Sequence, residues 1–201
     1  FVYMFASDLL ISSDTKRNSY NLKQKNSKLG KALTNKPLVY LQHGVNGLKV
    51  VRDFYKDRGV FDLVIAPSDN WGYDVDEVVT TGLARWDVLE DRSNLIDYKQ
   101  IFVMPTWRTW MDGMSKEEFV KTDYFKNYNA FLSSPDLDNV LKENNIQLKF
   151  FLHPKFREYI DLFDTNSPNI EKFHFLEVPL DDMIMKSSLM ISDYSSVIWE
   201  M

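Results

Sequence analysis

Five short apolar runs recur along the chain: Leu38-Val39-Tyr40-Leu41, Leu63-Val64-Ile65-Ala66, Ile101-Phe102-Val103-Met104, Leu148-Lys149-Phe150-Phe151-Leu152 and Leu189-Met190-Ile191. Runs this short and this continuously apolar read as strands buried on both faces. Between them, segments 47–56, 116–132, 136–144 and 180–186 carry helix-compatible spacing, with Asp181 and Asp182 suited to a first helical turn. The alternation predicts an α/β fold with mostly parallel strands and no internal repeat. The polar stretch 12–31, rich in Asn, Ser and Lys, reads as a mobile loop, and a second polar break spans 91–99. The predicted domains are therefore 1–97 and 98–201.

The chain opens on a strand-like run, Phe1-Val2-Tyr3-Met4-Phe5, without an initiator Met, and stops at Trp199-Glu200-Met201 where a helix is starting, so it reads as a fragment cut at both ends. At 201 residues and 44% hydrophobic content it can bury a real core. With no cysteine, disulfides, thiolate zinc sites and Cys nucleophiles are excluded. A net charge of -5 argues against nucleic acid and against a general anionic-membrane surface, so any anion site must be local. No run approaches the roughly 20 apolar residues that span a bilayer.

Each polar cluster of interest follows an apolar run, which in a parallel sheet places it at the carboxyl end of a strand, where ligands bind. The clusters are Gln42-His43-Gly44, Pro105-Thr106-Trp107-Arg108, His153-Pro154-Lys155 and Ser192-Asp193-Tyr194-Ser195-Ser196. His43 has the titration range of a general base, and Gly44 would let a substrate approach the backbone. An isolated His-Gly is more often a histidine bonded into a turn. Arg108 offers a planar fork of donors for a phosphate pair, or an ordinary surface ion pair. Trp107 and Trp110 read as packing residues.

His153 is held in a restricted geometry by Pro154 and suits a phosphate donor as well as it suits a structural turn. Ser195 and Ser196 follow a strand, precede an expected helix and offer either an anion cradle or a plain N-cap. Neither Gly30-Lys31 nor Gly44 with Gly47 forms a nucleotide-binding glycine motif. The three histidines, His43, His153 and His174, are not at metal-ligand spacing, and His174 reads as a strand residue.

Taken in order, His43-Gly44, Gly82-Leu83-Ala84-Arg85-Trp86-Asp87, Pro105-Thr106-Trp107-Arg108, His153-Pro154 and Ser192-Asp193-Tyr194-Ser195-Ser196-Val197 resemble the CDP-glycerol glycerophosphotransferase (teichoic acid polymerase) family over about residues 38–201. The resemblance implies a GT-B-like α/β architecture of two Rossmann-like domains, an acceptor-side domain before residue 98 and an incomplete CDP-donor-binding domain after it. It implies transfer of glycerol phosphate or ribitol phosphate from a CDP-linked donor to a hydroxyl of a lipid-linked, teichoic acid-like polymer. It further implies that CMP is released at the cytoplasmic face of the membrane, with peripheral membrane contact. By motif, His43 and Asp193 match catalytic positions, and Arg108, His153, Ser195, Ser196, Arg85 and Gly44 match substrate-binding ones. No cofactor is required by these residues, and bound Mg²⁺ is compatible with them.

The chain departs from the family pattern at Val45-Asn46-Gly47-Leu48-Lys49, where many relatives carry Thr-Pro-Leu-Lys, and at Ala84, where proline is frequent. Those changes bear on the acceptor and the polyol more than on the reaction type. The alternatives are a GT-B glycosyltransferase using a nucleotide sugar, for which the same anion cradle would serve, and a non-catalytic nucleotide-binding fragment.

Overall fold

The computed structural model describes residues 3, 6–14, 28–42, 44–45, 61–67, 77–92, 94, 97–174 and 176–201, with residues 29, 97 and 98 described through the backbone alone. The expected helix at 47–56 lies outside the described residues. The chain divides into two compact units, Phe1–Val88 and Leu89–Met201.

The first unit carries a parallel four-stranded sheet in the order β1 (Leu10–Ser12), β2 (Leu38–Tyr40), β3 (Leu63–Ala66) and β4 (Val78–Thr80), with helix α1 (Lys28–Thr34) between β1 and β2. Its core holds Tyr40, Val64 and Ala66, with the Tyr40 and Phe61 rings stacked at 4.2 Å. The opening run is not a strand where it is described: the Ser7 N–H donates to the Tyr3 carbonyl, a helical turn. Helix α1 likewise takes up the last residues of the stretch expected to be a loop.

The second unit is a parallel sheet in the order β7-β6-β5-β8, from β5 (Asp97–Val103), β6 (Gln147–Phe151), β7 (Ile170–Phe173) and β8 (Ser187–Ile191). Successive residues of β5 face opposite ways. Val103 joins a core with Leu148, Phe150, Phe156 and Phe163, whereas Phe102 and Met104 join Phe151, Met183, Ile184 and Val197 on the other face. Burial on both faces is why the strands are apolar without alternation.

The first of these cores is covered by α2 (Lys116–Phe119), α3 (Asp123–Leu132), α4 (Pro135–Glu143) and the 3₁₀ segment Pro154–Leu162. The other is covered by α5 (Leu180–Lys186) and the 3₁₀ segment Ser196–Glu200. The single helix expected over 116–132 is two helices. Ser115 and Glu118 form a capping box at α2, and the Thr122 hydroxyl starts α3 by accepting from the Phe125 N–H at 3.1 Å.

The domain division falls nine residues before the expected 97/98 break. Leu89 packs into the Phe102 core, and Arg92 approaches Asp182 at 3.8 Å, so the polar link belongs with the second unit. Strand β7 ends at Phe173, leaving His174 just beyond it, its backbone N–H bonded to Glu177 and its ring 3.3 Å from Asp161. Among the described residues no helix is long and apolar enough to cross a membrane.

Candidate active site at the carboxyl ends of β5, β6 and β8

Parallel register brings three of the polar clusters together. Val103 lies level with Phe150 of β6 and Ile191 of β8, so the residues that follow these strands emerge along one edge of the second sheet. The edge is fastened across β5 and β8, where the Met104 N–H donates to Ile191 and the Ser192 hydroxyl donates to the Met104 carbonyl at 2.6 Å.

Arg108 and Asp193 meet there. Nη2 of Arg108 lies 2.6 Å from the Asp193 carboxylate, and Nη1 donates to the Thr106 carbonyl at 2.7 Å. The other carboxylate oxygen of Asp193 accepts from the backbone N–H groups of Thr106 and Tyr194, at 3.0 and 2.7 Å. Burial pushes the Asp193 carboxyl up, but hydrogen bonding to Thr106, Arg108 and Tyr194 outweighs it and holds the group below the usual carboxylate range. A carboxylate held ionised and satisfied in this way is suited to fixing Arg108 rather than to exchanging protons at neutral pH.

The guanidinium is also flanked by aromatic rings, 4.4 Å from the Tyr194 centroid and 5.3 Å from that of Tyr124. Burial raises the Tyr124 phenol far above its ordinary value. Burial, with the Asp193 charge beside it, pushes Tyr128 up to about 12. Both phenols therefore remain hydroxyls at neutral pH.

His153 caps the 3₁₀ segment that follows β6, its Nδ1 accepting from the Lys155 N–H at 3.2 Å. With Nδ1 as acceptor, the neutral ring carries its proton on Nε2, the nitrogen able to donate to an anion. The ring is stacked on Trp107 at 5.6 Å, which ties the β6 end to the β5 end. Trp107 thus packs as expected, whereas Trp110 is 72% exposed. Ser195 is buried, and its hydroxyl accepts from the Val197 N–H at 3.4 Å, the N-cap arrangement, with Ser196 opening the short 3₁₀ helix.

The remaining candidates belong to the first unit. His43 lies outside the described residues. Gly44 is buried just beyond β2, and Gln42 is buried with φ of 40°, a strained setting for a non-glycine residue beside the candidate base. Arg85 sits in the 3₁₀ segment Ala84–Val88, entered through Gly82 at φ of 84°. Sequence reasoning missed Tyr124, Tyr128 and Tyr194 around Arg108. The available signal was Tyr124 and Tyr128 at i and i+4 on one helix face, directly after the Arg108 segment. Among the described residues no cluster of three or more His, Asp or Glu side chains forms a metal-binding group.

Two parallel α/β units, the second gathering an arginine, a histidine and hydroxyl-bearing turns on one strand edge, define an α/β protein with a candidate anion site in its second unit. The chain belongs to the CDP-Glycerol:Poly(glycerophosphate) glycerophosphotransferase family, whose model matches residues 65–201. It is 25% identical over 187 residues to the minor teichoic acid biosynthesis protein GgaB of Bacillus subtilis (strain 168), covering 84% of this chain and 20% of that protein. It is 26% identical over 151 residues to the teichoic acid ribitol-phosphate polymerase TarL of Staphylococcus aureus (strain NCTC 8325 / PS 47), covering 66% of this chain and 24% of that one. The chain therefore spans between a fifth and a quarter of the length of these relatives.

Among solved structures, a variant of the wall teichoic acid polymerase TagF superposes with a TM-score of 0.55 at 20% identity, over 96% of this chain and 51% of that one. UDP-GlcNAc 2-epimerase of Methanocaldococcus jannaschii, in complex with UDP-GlcNAc and UDP, gives 0.51 at 12% identity, over 97% and 57%. These two likenesses show the fold alone.

Proposed function

We propose that the protein transfers glycerol phosphate or ribitol phosphate from a CDP-linked donor to a hydroxyl of a teichoic acid-like polymer, releasing CMP. The observation that carries this reading is the Arg108–Asp193 pair on the same strand edge as His153, in a chain of this family. A fixed, permanently charged guanidinium and a histidine Nε2–H are the donors a pyrophosphate calls for. In this reading the second unit holds the donor and the first supplies the acceptor side.

The acceptor oxygen attacks the β-phosphorus in line, and His43 takes the proton from that hydroxyl. The bond between the β-phosphorus and the bridging oxygen breaks, and CMP leaves with that oxygen. Arg108, His153 and the Ser195-Ser196 turn stabilise the charge on the equatorial and leaving oxygens, Asp193 positions Arg108, and Arg85 and Gly44 complete the substrate contacts. Transfer proceeds without a protein-held cofactor, any Mg²⁺ arriving with the nucleotide. The acceptor is lipid-linked, which places the protein peripherally at the cytoplasmic face of the membrane.

The test is nucleotide release by the protein, CMP from CDP-glycerol or CDP-ribitol and UDP from UDP-GlcNAc, together with binding of each donor, in the presence of a lipid-linked polyol phosphate acceptor. Release from a CDP-polyol with growth of the acceptor is the expected result. Turnover of the nucleotide sugar alone would replace this reading with a glycosyltransferase, and nucleotide binding without turnover of any donor would make the chain a binding module.

A further inference from the structure

Beside Arg108 the second unit opens into a cleft of about 540 Å³, between the 3₁₀ turn Thr109–Met111 and the first turns of α3. Arg108 and Asp193 stand on its wall together with Tyr124, Asn127 and Tyr128, and the exposed Trp110 also lines it. Tyr124 and Tyr128 lie one turn apart on α3, so both reach the same wall, and Asn127 precedes Tyr128. The lining therefore offers one cation, a row of neutral hydroxyl and amide groups, an ionised carboxylate and aromatic surface.

That set suits a molecule with one phosphate and several hydroxyls. The guanidinium has five N–H donors, of which its bonds to Thr106 and Asp193 account for two, so donors remain for an anion in the cleft. The phenols stay protonated at neutral pH and can both donate to and accept from alcohol groups. The Tyr124 hydroxyl is itself buried, with no hydrogen-bond partner among the described residues, so Tyr124 lines the cleft with its ring. A nucleobase suits the cleft less well, because the Tyr124 and Tyr194 rings are already engaged with the guanidinium. The volume lies within the range that takes drug-sized ligands of roughly 300 to 1,000 Å³, so a five-carbon polyol is admitted as readily as a three-carbon one.

We propose that this cleft is a polyol phosphate subsite, with the phosphate on Arg108 and the polyol hydroxyls on Asn127, Tyr128 and the Asp193 carboxylate. It rests on the transferase reading and deepens it, since it assigns the residues that read the polyol. The occupant is either the donor's own polyol phosphate or the terminal unit of the acceptor, which share this chemistry.

Trp110 supplies the readout, because a ligand in the cleft shields an exposed indole from acrylamide, and Trp110→Phe identifies its share of the signal. Glycerol 3-phosphate, ribitol 5-phosphate and CDP-glycerol should each reduce quenching of the full chain. Asn127→Ala and Tyr128→Phe should weaken the polyol phosphates by about three- to tenfold, the loss of one neutral hydrogen bond, while CDP affinity stays within about twofold. Glycerol 3-phosphate that binds alongside CDP but is displaced by CDP-glycerol marks the donor's polyol, and binding alongside CDP-glycerol marks the acceptor end.

The proposal is overturned, with the transferase reading intact, if CDP-glycerol binds but no polyol phosphate shields Trp110, or if both variants weaken CDP and CDP-glycerol equally. Shielding by cytidine as strong as that by polyol phosphate overturns it in favour of a base site. If neither CDP nor CDP-glycerol binds, both readings fall.

Discussion

Separating Arg108 from Asp193 should cost far more than a surface ion pair is worth, and the two losses should not add. The side chains are only 15% and 21% exposed, so the pair lies nearer the buried limit, where removing one partner costs about 3 to 5 kcal/mol, than the exposed limit of about 0.2 to 1 kcal/mol. Asp193→Ala also strips the acceptor from the Thr106 and Tyr194 N–H groups, and we expect a loss of about 3 kcal/mol. Arg108→Ala should cost about 2 to 3 kcal/mol. The double variant should fall short of the sum by about 2 kcal/mol, because neither charge is then left stranded. Urea unfolding at neutral pH measures this as midpoint shifts on the order of 1 M, given slopes of about 1 to 3 kcal/mol per M.

The pH dependence carries an independent sign. The folded Asp193 pKa lies below its ordinary 3.8, so its contribution is present above that value and is lost as pH falls through the folded one. The gap between the wild-type protein and Asp193→Ala should accordingly be widest near neutrality and narrow below about pH 4. Losses additive to within about 0.5 kcal/mol, or a gap indifferent to acid, would refute the clamp.

His43→Ala should lower polyol phosphate transfer by about 10² to 10⁴-fold with CDP-glycerol affinity nearly unchanged, and near-normal turnover would remove the residue from the chemistry. Tyr128, with its folded pKa of about 12, contributes stability that is complete below its ordinary 10.0 and lost as pH rises through 12. Tyr128→Phe should therefore flatten the alkaline fall in stability over that window, as followed by unfolding at fixed urea. Thr122→Ala should destabilise the second unit by about 1 kcal/mol through loss of the α3 N-cap, checked by the urea midpoint.

Elements whose signal is local were legible in the sequence. The bounds of strand β3 follow from a continuous apolar run, and those of α5 from its helical spacing and acidic first turn. The split of 116–132 is not legible from periodicity, because the apolar spacing runs on through the break and only the Thr122 cap interrupts it. For the candidate site, placement after a strand was enough to bring Arg108, His153 and Asp193 to one sheet edge. What could not be read was the partner of each side chain. Arg108 and Asp193 are 85 residues apart in sequence, and only the β5–β8 pairing brings them together. Tyrosines on an amphipathic helix look like core, and only the neighbouring guanidinium shows otherwise.

The hydrogen bonds that fasten β8 to β5, from Thr106 to Asp193 and from Ser192 to Met104, close loops of 87 and 88 residues. A chain emerging from the ribosome makes β5 and β6 first, and β5 then waits with one ladder edge open until β8 is synthesised. Over the same interval Phe102 and Met104 lack the cover later supplied by Met183, Ile184 and Val197. Assembly of the arginine clamp is thus a late, high-contact-order event, paced by translation and loop closure. A pause before residue 187 leaves a bare apolar strand edge that another nascent copy can pair with, so aggregation during synthesis should be most acute in that window.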